Sequence, residues 1–370
     1  MPTQPSQNSY KTDILPCALL FVVGLIAWLL LLLTGNEEAR AWRALLINFI
    51  YATPLAAGLV TWSAIVVAAN GRWAGEAERL AWKGMGFLVP SLLILIVLWI
   101  GSPDWAPWYG KELHQGVWLN NTALFVRELA GLLVFRSAAM WFLARRLEGR
   151  RTAMMPAAVL IAVYCIVFTL FSFDFVMALL PEWRSGIFGA YFFISSLYLA
   201  IVLWTLLAVL QKQPVEVRHD LGKLVLAFSV LTTSLLYMQL LTIWYENFPE
   251  ETSYLIQRMH FADWKVVSWF LVLIVYLGPL GMLLTEWSKK NRFYLGAVSG
   301  LLLVGLWIER WWMVAPTFSR EAHLGLVELA ATAMVLGLFG LSTNWSQNFL
   351  PELPAKEERT VEQEEHALKE

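Results

Sequence analysis

The side chains of this sequence that could do chemistry are acids and arginines placed inside long apolar stretches. Arg127 and Glu128 come shortly after the start of one such stretch, and Asp174 comes shortly before the end of the next. At about 1.5 Å per residue, all three lie roughly 10 Å below the same end of two adjacent antiparallel helices. A carboxylate beside an arginine can exchange a proton while its charge stays compensated. The trio therefore predicts proton handling, with a purely structural ion pair between two helices as the alternative.

Further ionisable residues lie in the later stretches, where such groups are costly and are functional candidates by default. We expect Glu309 and Glu328 to join Glu128 in a proton path, and Glu328 shows no obvious partner in the sequence. The alternative for Glu309 and its neighbour Arg310 is a solvated position at the membrane interface. Arg136 is expected to snorkel or to pair with a neighbouring helix. The half of the membrane on its side is otherwise poor in ionisable groups, which argues against a complete proton channel.

Ten apolar stretches, each about long enough to cross a bilayer, position these residues. The chain is 58% hydrophobic with a mean hydropathy of +0.59, and only 15% of its residues are charged, against about 25% in soluble domains. We therefore predict an all-α integral membrane protein with ten transmembrane helices. The stretches are 14–33, 42–69, 81–100, 122–143, 155–180, 186–210, 221–245, 265–285, 293–313 and 324–345.

The distribution of lysine and arginine predicts the orientation. Side A, defined as the side of the N-terminus, holds the loops 70–83, 144–153, 211–223 and 286–292 and the C-terminal tail. The other side, side B, holds the long loops 101–120 and 246–264. Side A carries 17 Lys and Arg residues and side B carries 8, so the positive-inside rule places both termini in the cytoplasm. We expect a cytoplasmic segment 1–13, a transmembrane domain 14–345 and an acidic cytoplasmic tail 346–370, in a multi-pass membrane protein.

Several classes of protein are excluded by what the sequence lacks. Its two cysteines, Cys17 and Cys165, are too few for an iron–sulfur cluster. None of its five histidines lies in the middle of a stretch, so a haem between two mid-membrane histidines is not expected, and no metal site or nucleotide motif is present. The net charge of −1 gives no basic field for nucleic acid. If the chain serves redox chemistry, its substrate must diffuse in the membrane and a partner must take the electrons.

Several segments resemble the membrane subunits of the polysulfide reductase superfamily, in the branch found in alternative complex III, a bacterial quinol-oxidising complex. The segment 172–193 (SFDFVMALLPEWRSGIFGAYFF) resembles the fifth span of that branch, and 118–127 (WLNNTALFVR) resembles the entry to the fourth. The segments 221–254 and 303–316 resemble the seventh and ninth spans. The run WYENFPEET at 244–252 resembles the second of the two homologous ten-span subunits. Phe175 and Ala178 depart from the pattern, which commonly has Trp and Ser there.

The resemblance implies two four-helix bundles, formed by spans 2–5 and 6–9, with spans 1 and 10 flanking them. It implies partners: a homologous ten-span membrane subunit, and periplasmic iron–sulfur and c-type cytochrome subunits that carry the clusters and haems. It also implies quinol, often menaquinol, as the substrate oxidised near side B. Combined with the residue reasoning, Asp174 is then the proton acceptor, Arg127 its electrostatic partner and His114 a second acceptor at the mouth.

The sequence leaves three functions open. The chain is either a catalytic or proton-conducting subunit of such a complex, or a scaffold subunit without a site of its own. The third possibility is an independent secondary transporter, for which interrupted helices at membrane depth are the best pointer. Only the run Gly278-Pro279-Leu280-Gly281 offers such an interruption.

Overall fold

A computed structural model describes residues 14–34 and 37–347, so the predicted segment 1–13 and all but the first two residues of the predicted tail lie outside the described residues. The described chain forms helices joined by short connections. They are α1 (Ile14–Leu33), α2 (Glu38–Ala68), α3 (Glu78–Trp82), α4 (Leu88–Ile100), α5 (Ser102–Trp105), α6 (Asn121–Glu148), α7 (Arg150–Phe175), α8 (Phe188–Leu210), α9 (Val215–Glu246), α10 (Pro249–Met259), α11 (Ala262–Phe270), α12 (Gly278–Met282), α13 (Glu286–Lys290), α14 (Arg292–Val314) and α15 (Leu326–Gln347).

Nine helical segments of the described chain are long and apolar enough to cross a membrane. This result confirms an all-α protein with the character of a multi-pass membrane protein. The helix α6 is also long, at 28 residues, but it is not among the nine. Every eighteen consecutive residues of α6 contain at least three charged side chains, whereas each of the nine segments has a stretch of that length with at most two.

Local sequence signals explain where several helices begin and end. The side chain of Asn120 caps α6 by accepting a hydrogen bond from the Ala123 amide, and Asn291 caps α14 through the Tyr294 amide. The break between α6 and α7 is the single residue Gly149, whose φ of 150° suits glycine. As a result, α7 begins at Arg150, five residues before the predicted stretch.

The helix α2 lies at the centre of the fold, and its apolar stretch is entirely buried. It contacts α4 and α7 of a first group of helices, in which α6 packs against α7 and α4. It also contacts α8 and α14 of a second group, in which α8 packs against α9 and α14. The indole of Trp62 donates to the Leu197 carbonyl and Tyr51 donates to the Leu303 carbonyl, so hydrogen bonds also join α2 to the second group.

The first and last long helices of the described chain pack against each other at very short range. A Cβ atom added at Gly24 of α1 would lie 2.3 Å from the Met334 amide nitrogen, and one at Gly337 of α15 would lie 2.4 Å from the Phe21 amide nitrogen. Small residues of this kind let transmembrane helices approach backbone to backbone. The pair α1 and α15 then contacts α2, mainly through α15.

The predicted eighth span is an interrupted helix. The helix α11 continues into a π-helical segment, Leu271–Tyr276, and α12 begins at Gly278 with Pro279 in its first turn. Because Pro279 has no amide hydrogen, the chain cannot form a regular α-helix there. Short π-helical segments frequently occur at functional sites.

The short helix α10 covers the side B end of α14. Its Arg258 is fully buried and donates to the carbonyl oxygens of Trp312 at 3.2 Å and Met313 at 2.7 Å. These are carbonyls in the last turn of α14, which have few partners within the helix. The Arg258 guanidinium also lies 3.4 Å from the ring centre of Tyr254, which stacks on Trp183 at 3.8 Å. Burial lowers the pKa of Arg258 to about 10, so it remains charged at neutral pH.

Candidate functional site

The Asp174 cluster, defined as Arg127, Glu128 and Asp174, lies where α6 begins and α7 ends. Arg127 donates to Asp174 Oδ2 through Nε at 2.9 Å and through Nη2 at 2.6 Å. Its guanidinium also lies 4.0 Å from the ring centre of Trp118. Asp174 is fully buried. The antiparallel geometry inferred from the sequence is therefore confirmed for this pair.

Glu128 completes the cluster from the buried face of α6. Its carboxyl group is a close neighbour of the Asp174 carboxyl group. Glu128 Oε1 and Asp174 Oδ1 are buried and have no hydrogen-bond partner in the described part of the chain. Two carboxyl groups form a hydrogen bond only when one of them carries a proton. The cluster can therefore hold a proton, while Arg127 compensates the charge that remains on Asp174.

Aromatic side chains surround the membrane side of this cluster. Phe175, the residue after Asp174, packs edge-on against Phe49 with ring centres 5.4 Å apart and contacts Phe125 at 6.1 Å. Phe125 in turn stacks on Trp99 at 5.6 Å. Apolar walls lower the local dielectric constant and strengthen the electrostatic interactions among the three ionisable groups.

A second polar cluster, which we name the Glu309 centre, lies in the second group of helices. Glu309 Oε1 accepts hydrogen bonds from Tyr191 and Tyr276, each at 2.6 Å, and from Ser195 at 2.9 Å. Glu309 Oε2 accepts from Ser195 at 2.8 Å and from Arg310 Nη1 at 3.1 Å. Tyr276 is the last residue of the π-helical segment, so the interrupted helix supplies one hydrogen-bond donor to this carboxylate.

Glu309 and Arg310 are both fully buried, so the alternative of a solvated interfacial pair is wrong. They face the core because α14 packs against α8 and against the π-helical segment. Arg310 also donates to Ser195 and Ser196, at 3.3 and 3.1 Å. Four residues therefore donate hydrogen bonds to the Glu309 carboxylate. Glu128 and Asp174, in contrast, each have one buried oxygen that accepts no hydrogen bond from the described chain.

Glu328 is partnered, contrary to the expectation from the sequence. Arg40 donates to both of its oxygens, through Nε at 2.8 Å and Nη2 at 2.7 Å. Glu328 Oε2 also accepts from the Gly325 amide at 2.8 Å, which satisfies a free amide at the start of α15. The partner was missed because Arg40 precedes Glu328 by 288 residues. This geometry gives Glu328 a structural role at side B, and its place in a proton path stays a prediction.

His114 lies exposed in the connection before α6. No hydrogen bond or ion pair joins it to the Asp174 cluster in the described chain. The neighbouring Gln115 donates to the Pro181 carbonyl at 2.5 Å, which holds this connection against the segment that follows α7. His114 is thus on the correct side of the protein for the predicted role, and the role itself stays a prediction.

A buried ion pair near side A was not found from the sequence, which assigned its residues to loops. Glu78 accepts from Arg146 Nε at 3.1 Å and Nη2 at 3.0 Å, and from Ser63 at 2.7 Å. Trp82 donates to Ser63 at 2.8 Å. Glu78 and Arg146 are only 2% exposed, so the side A end of the protein holds a buried ion pair just outside the predicted apolar stretches.

Arg136, in contrast, has no hydrogen bond, ion pair or ring contact with any residue that the structure describes. It is half-buried at the edge of the exposed face of α6. The expected pairing with a neighbouring helix is therefore absent within the described ranges.

The described residues contain no group of three or more His, Cys, Asp or Glu side chains that could hold a metal ion. No protein-family model matches the chain, and no curated protein matches it.

Proposed function

We propose that this chain is an integral membrane subunit of a quinol-oxidising respiratory complex in the bacterial inner membrane, resembling the second ten-span subunit of alternative complex III. In this proposal all ten predicted spans cross the membrane, α6 included, and both termini are cytoplasmic. A homologous membrane subunit, an iron–sulfur subunit and c-type cytochrome subunits are its partners, and they carry the haems and clusters. The proposal rests on the resemblance of the segments 118–127, 172–193, 221–254 and 303–316, together with the Asp174 cluster.

The Asp174 cluster is the single structural observation that carries the proposed chemistry. Oxidation of a quinol releases two electrons and two protons, and each proton needs a base within hydrogen-bonding reach. Asp174 presents one oxygen to Arg127 and leaves Oδ1 without a partner outside the cluster. A proton that arrives at Oδ1 can be exchanged with Glu128, the adjacent carboxyl group. His114 is the candidate acceptor of the second proton at the mouth.

The substitution Asp174→Asn in the intact complex tests this role. The amide cannot accept the proton, so we expect quinol turnover and coupled proton release to fall by about 10²-fold or more, the usual contribution of a positioned base. The matched control is Asp220→Asn on side A, where Asp220 forms an exposed pair with Lys223 at 2.9 Å. Unchanged turnover and proton release in Asp174→Asn would remove the assignment.

The scaffold alternative predicts a different result for the same variant. If Asp174 only holds α6 against α7, Asp174→Asn lowers the yield of assembled complex, and the complex that does assemble turns over at the normal rate. Turnover per assembled complex, measured beside the yield, therefore separates the catalytic role from the scaffold role.

A secondary transporter is the second candidate function, and the interrupted helix from Ala262 to Met282 favours it. Its π-helical segment delivers Tyr276 to the buried Glu309, and transporter sites typically form at discontinuous helices. Purification in mild detergent, with haem spectra and quinone extraction, decides between the two. Co-purifying c-type haem and iron–sulfur subunits support the respiratory complex, and a lone, colourless, quinone-free protein supports the transporter.

A further inference from the structure

The unpaired Arg136 lies near the middle of α6, between two arginines of the same helix that are paired. Within α6 itself, Arg127 binds Asp174 and Arg146 binds Glu78, across to α7 and to α3. Arg136 lies between them and has no such partner among the described residues. It borders an exposed face that contains Leu133, Ser137, Met140 and Trp141.

The depth of Arg136 follows from the packing of its neighbour in sequence. Phe135 contacts Tyr164 and Phe168 of α7, with ring centres 6.1 and 5.8 Å apart. Tyr164 lies near the middle of α7, and α7 is one of the helices that are long and apolar enough to cross a membrane. Arg136 is therefore level with the middle of a membrane-spanning helix.

Snorkelling does not relieve the charge at this depth. Arg136 lies about 18 Å from the last residue of α6 and about 22 Å from the first, at 1.5 Å per residue. Side chains on a helix point toward its N-terminus, so the Arg136 side chain points away from side A, the nearer end of the helix. An arginine at the bilayer centre is costly unless it meets water or a counter-charge.

We propose that Arg136 binds an acidic side chain on a transmembrane helix of a different protein subunit, and that the exposed face of α6 is the docking surface for that helix. The positive charge of Arg136 and its depth in the membrane both favour an acidic side chain on a membrane helix as its partner. Lipid phosphates lie at the membrane surface, too far away to meet the guanidinium. The membrane-embedded carboxylates of this chain, on Glu128, Asp174, Glu309 and Glu328, are all buried, so a second copy offers no exposed partner.

The inference rests on one part of the proposed function, the crossing of the membrane by α6. It does not rest on quinol oxidation. The chain could bind a partner helix with an acid at mid-membrane depth whether it is a transporter or a respiratory subunit. A negative result for quinol oxidation therefore does not contradict this inference.

The experiment uses a photo-crosslinking amino acid in place of Ser137, the exposed neighbour of Arg136, in the full chain in its native membrane. We expect a crosslink to a transmembrane segment of another protein, with an Asp or Glu near the crosslinked residue. Crosslinks to lipid alone, or to a second copy of this chain, would overturn the proposal.

Substitution of Arg136 supplies the second measurement. Arg136→Leu is expected to reduce recovery of the crosslinked partner by about tenfold, as loss of a polar interhelical contact does, while the chain itself stays folded. The control on the same helix is Arg145→Leu, since Arg145 is exposed near the helix end and pairs with Glu148. Normal recovery with Arg136→Leu contradicts the proposal. Rescue of Arg136→Glu by an arginine at the partner's acid would identify the pair.

Discussion

At the scale of single residues, the two buried acids Asp174 and Glu309 differ in what remains free around them. Glu309 receives four donor residues, including Arg310, and so its negative charge is compensated and its oxygens are filled. Asp174 Oδ1 has no hydrogen-bond partner in the described chain, and the carboxyl group of Glu128 is a close neighbour of Asp174. A filled carboxylate suits a structural centre, and a carboxyl group with an open oxygen suits proton exchange. This contrast makes Asp174 the better candidate for proton exchange.

Both oxygens of the Glu309 carboxylate accept hydrogen bonds, so we expect the loss of one donor to lower the stability of the protein. Tyr276→Phe removes one of the two phenol donors and leaves the buried carboxylate less satisfied, at a cost of about 1.5 to 3 kcal/mol for a bond to a charged group. We expect a lower midpoint of thermal unfolding in detergent. Tyr237→Phe is the control, because Tyr237 is exposed on α9 and its hydroxyl binds no described residue. Equal midpoints for the two variants would show that Tyr276 does not hold Glu309.

The sequence predicted the Asp174 cluster but not the surroundings of the other acids. Arg127 and Asp174 lie on consecutive helices, so antiparallel geometry and depth were enough to place them together. The donors of Glu309 come from α8 and from the π-helical segment, and Arg40 reaches Glu328 from the start of α2. These contacts depend on which helices become neighbours in space, and one sequence does not reveal that arrangement.

At the scale of elements, the spacing of glycines within one helix does not decide where helices pack closely. Gly296 and Gly300 of α14 have the spacing of a helix-packing motif, and a Cβ atom at Gly296 would lie 3.1 Å from a Val209 methyl group, yet one at Gly300 would meet nothing within 4 Å. The close approach involves Gly24 and Gly337, on the first and last long helices of the described chain. Spacing within one helix predicts a surface that could pack, and the partner helix decides whether it does.

This packing predicts that Gly337→Ala destabilises the pairing of α1 with α15. The added methyl group would lie 2.4 Å from the Phe21 amide nitrogen, so the two backbones must separate, and overpacking of this kind costs about 1 to 3 kcal/mol. We expect a lower unfolding midpoint in detergent. Gly300→Ala, the same substitution in open space, should leave the midpoint unchanged or raise it, since alanine favours helix over glycine. A Gly337→Ala midpoint at or above that of Gly300→Ala would contradict the close approach.

At the scale of the whole molecule, the membrane topology depends on α6. Composition alone leaves it out of the nine membrane-length helices, because every eighteen-residue stretch of α6 contains at least three charged side chains. The fold explains how such a helix can lie in a membrane: Arg127 and Arg146 are paired, and Glu128 is buried against Asp174. If α6 crosses, the chain has ten spans and its two described ends lie on one side. Otherwise the spans are nine and the ends lie on opposite sides.

Labelling of single cysteines decides between these topologies. In a chain with Cys17→Ala and Cys165→Ala, we would introduce Glu112→Cys before α6 or Glu216→Cys at the start of α9, both at exposed positions. The helices α6, α7 and α8 lie between them, so three crossings put the two sites on opposite sides and two crossings put them on the same side. The positive-inside rule predicts that a membrane-impermeant maleimide labels Glu112→Cys from outside and Glu216→Cys only after permeabilisation. The reverse pattern would invert the orientation. Labelling of both sites from one side would show that α6 does not cross the membrane. That result would also contradict the proposed role of Arg136.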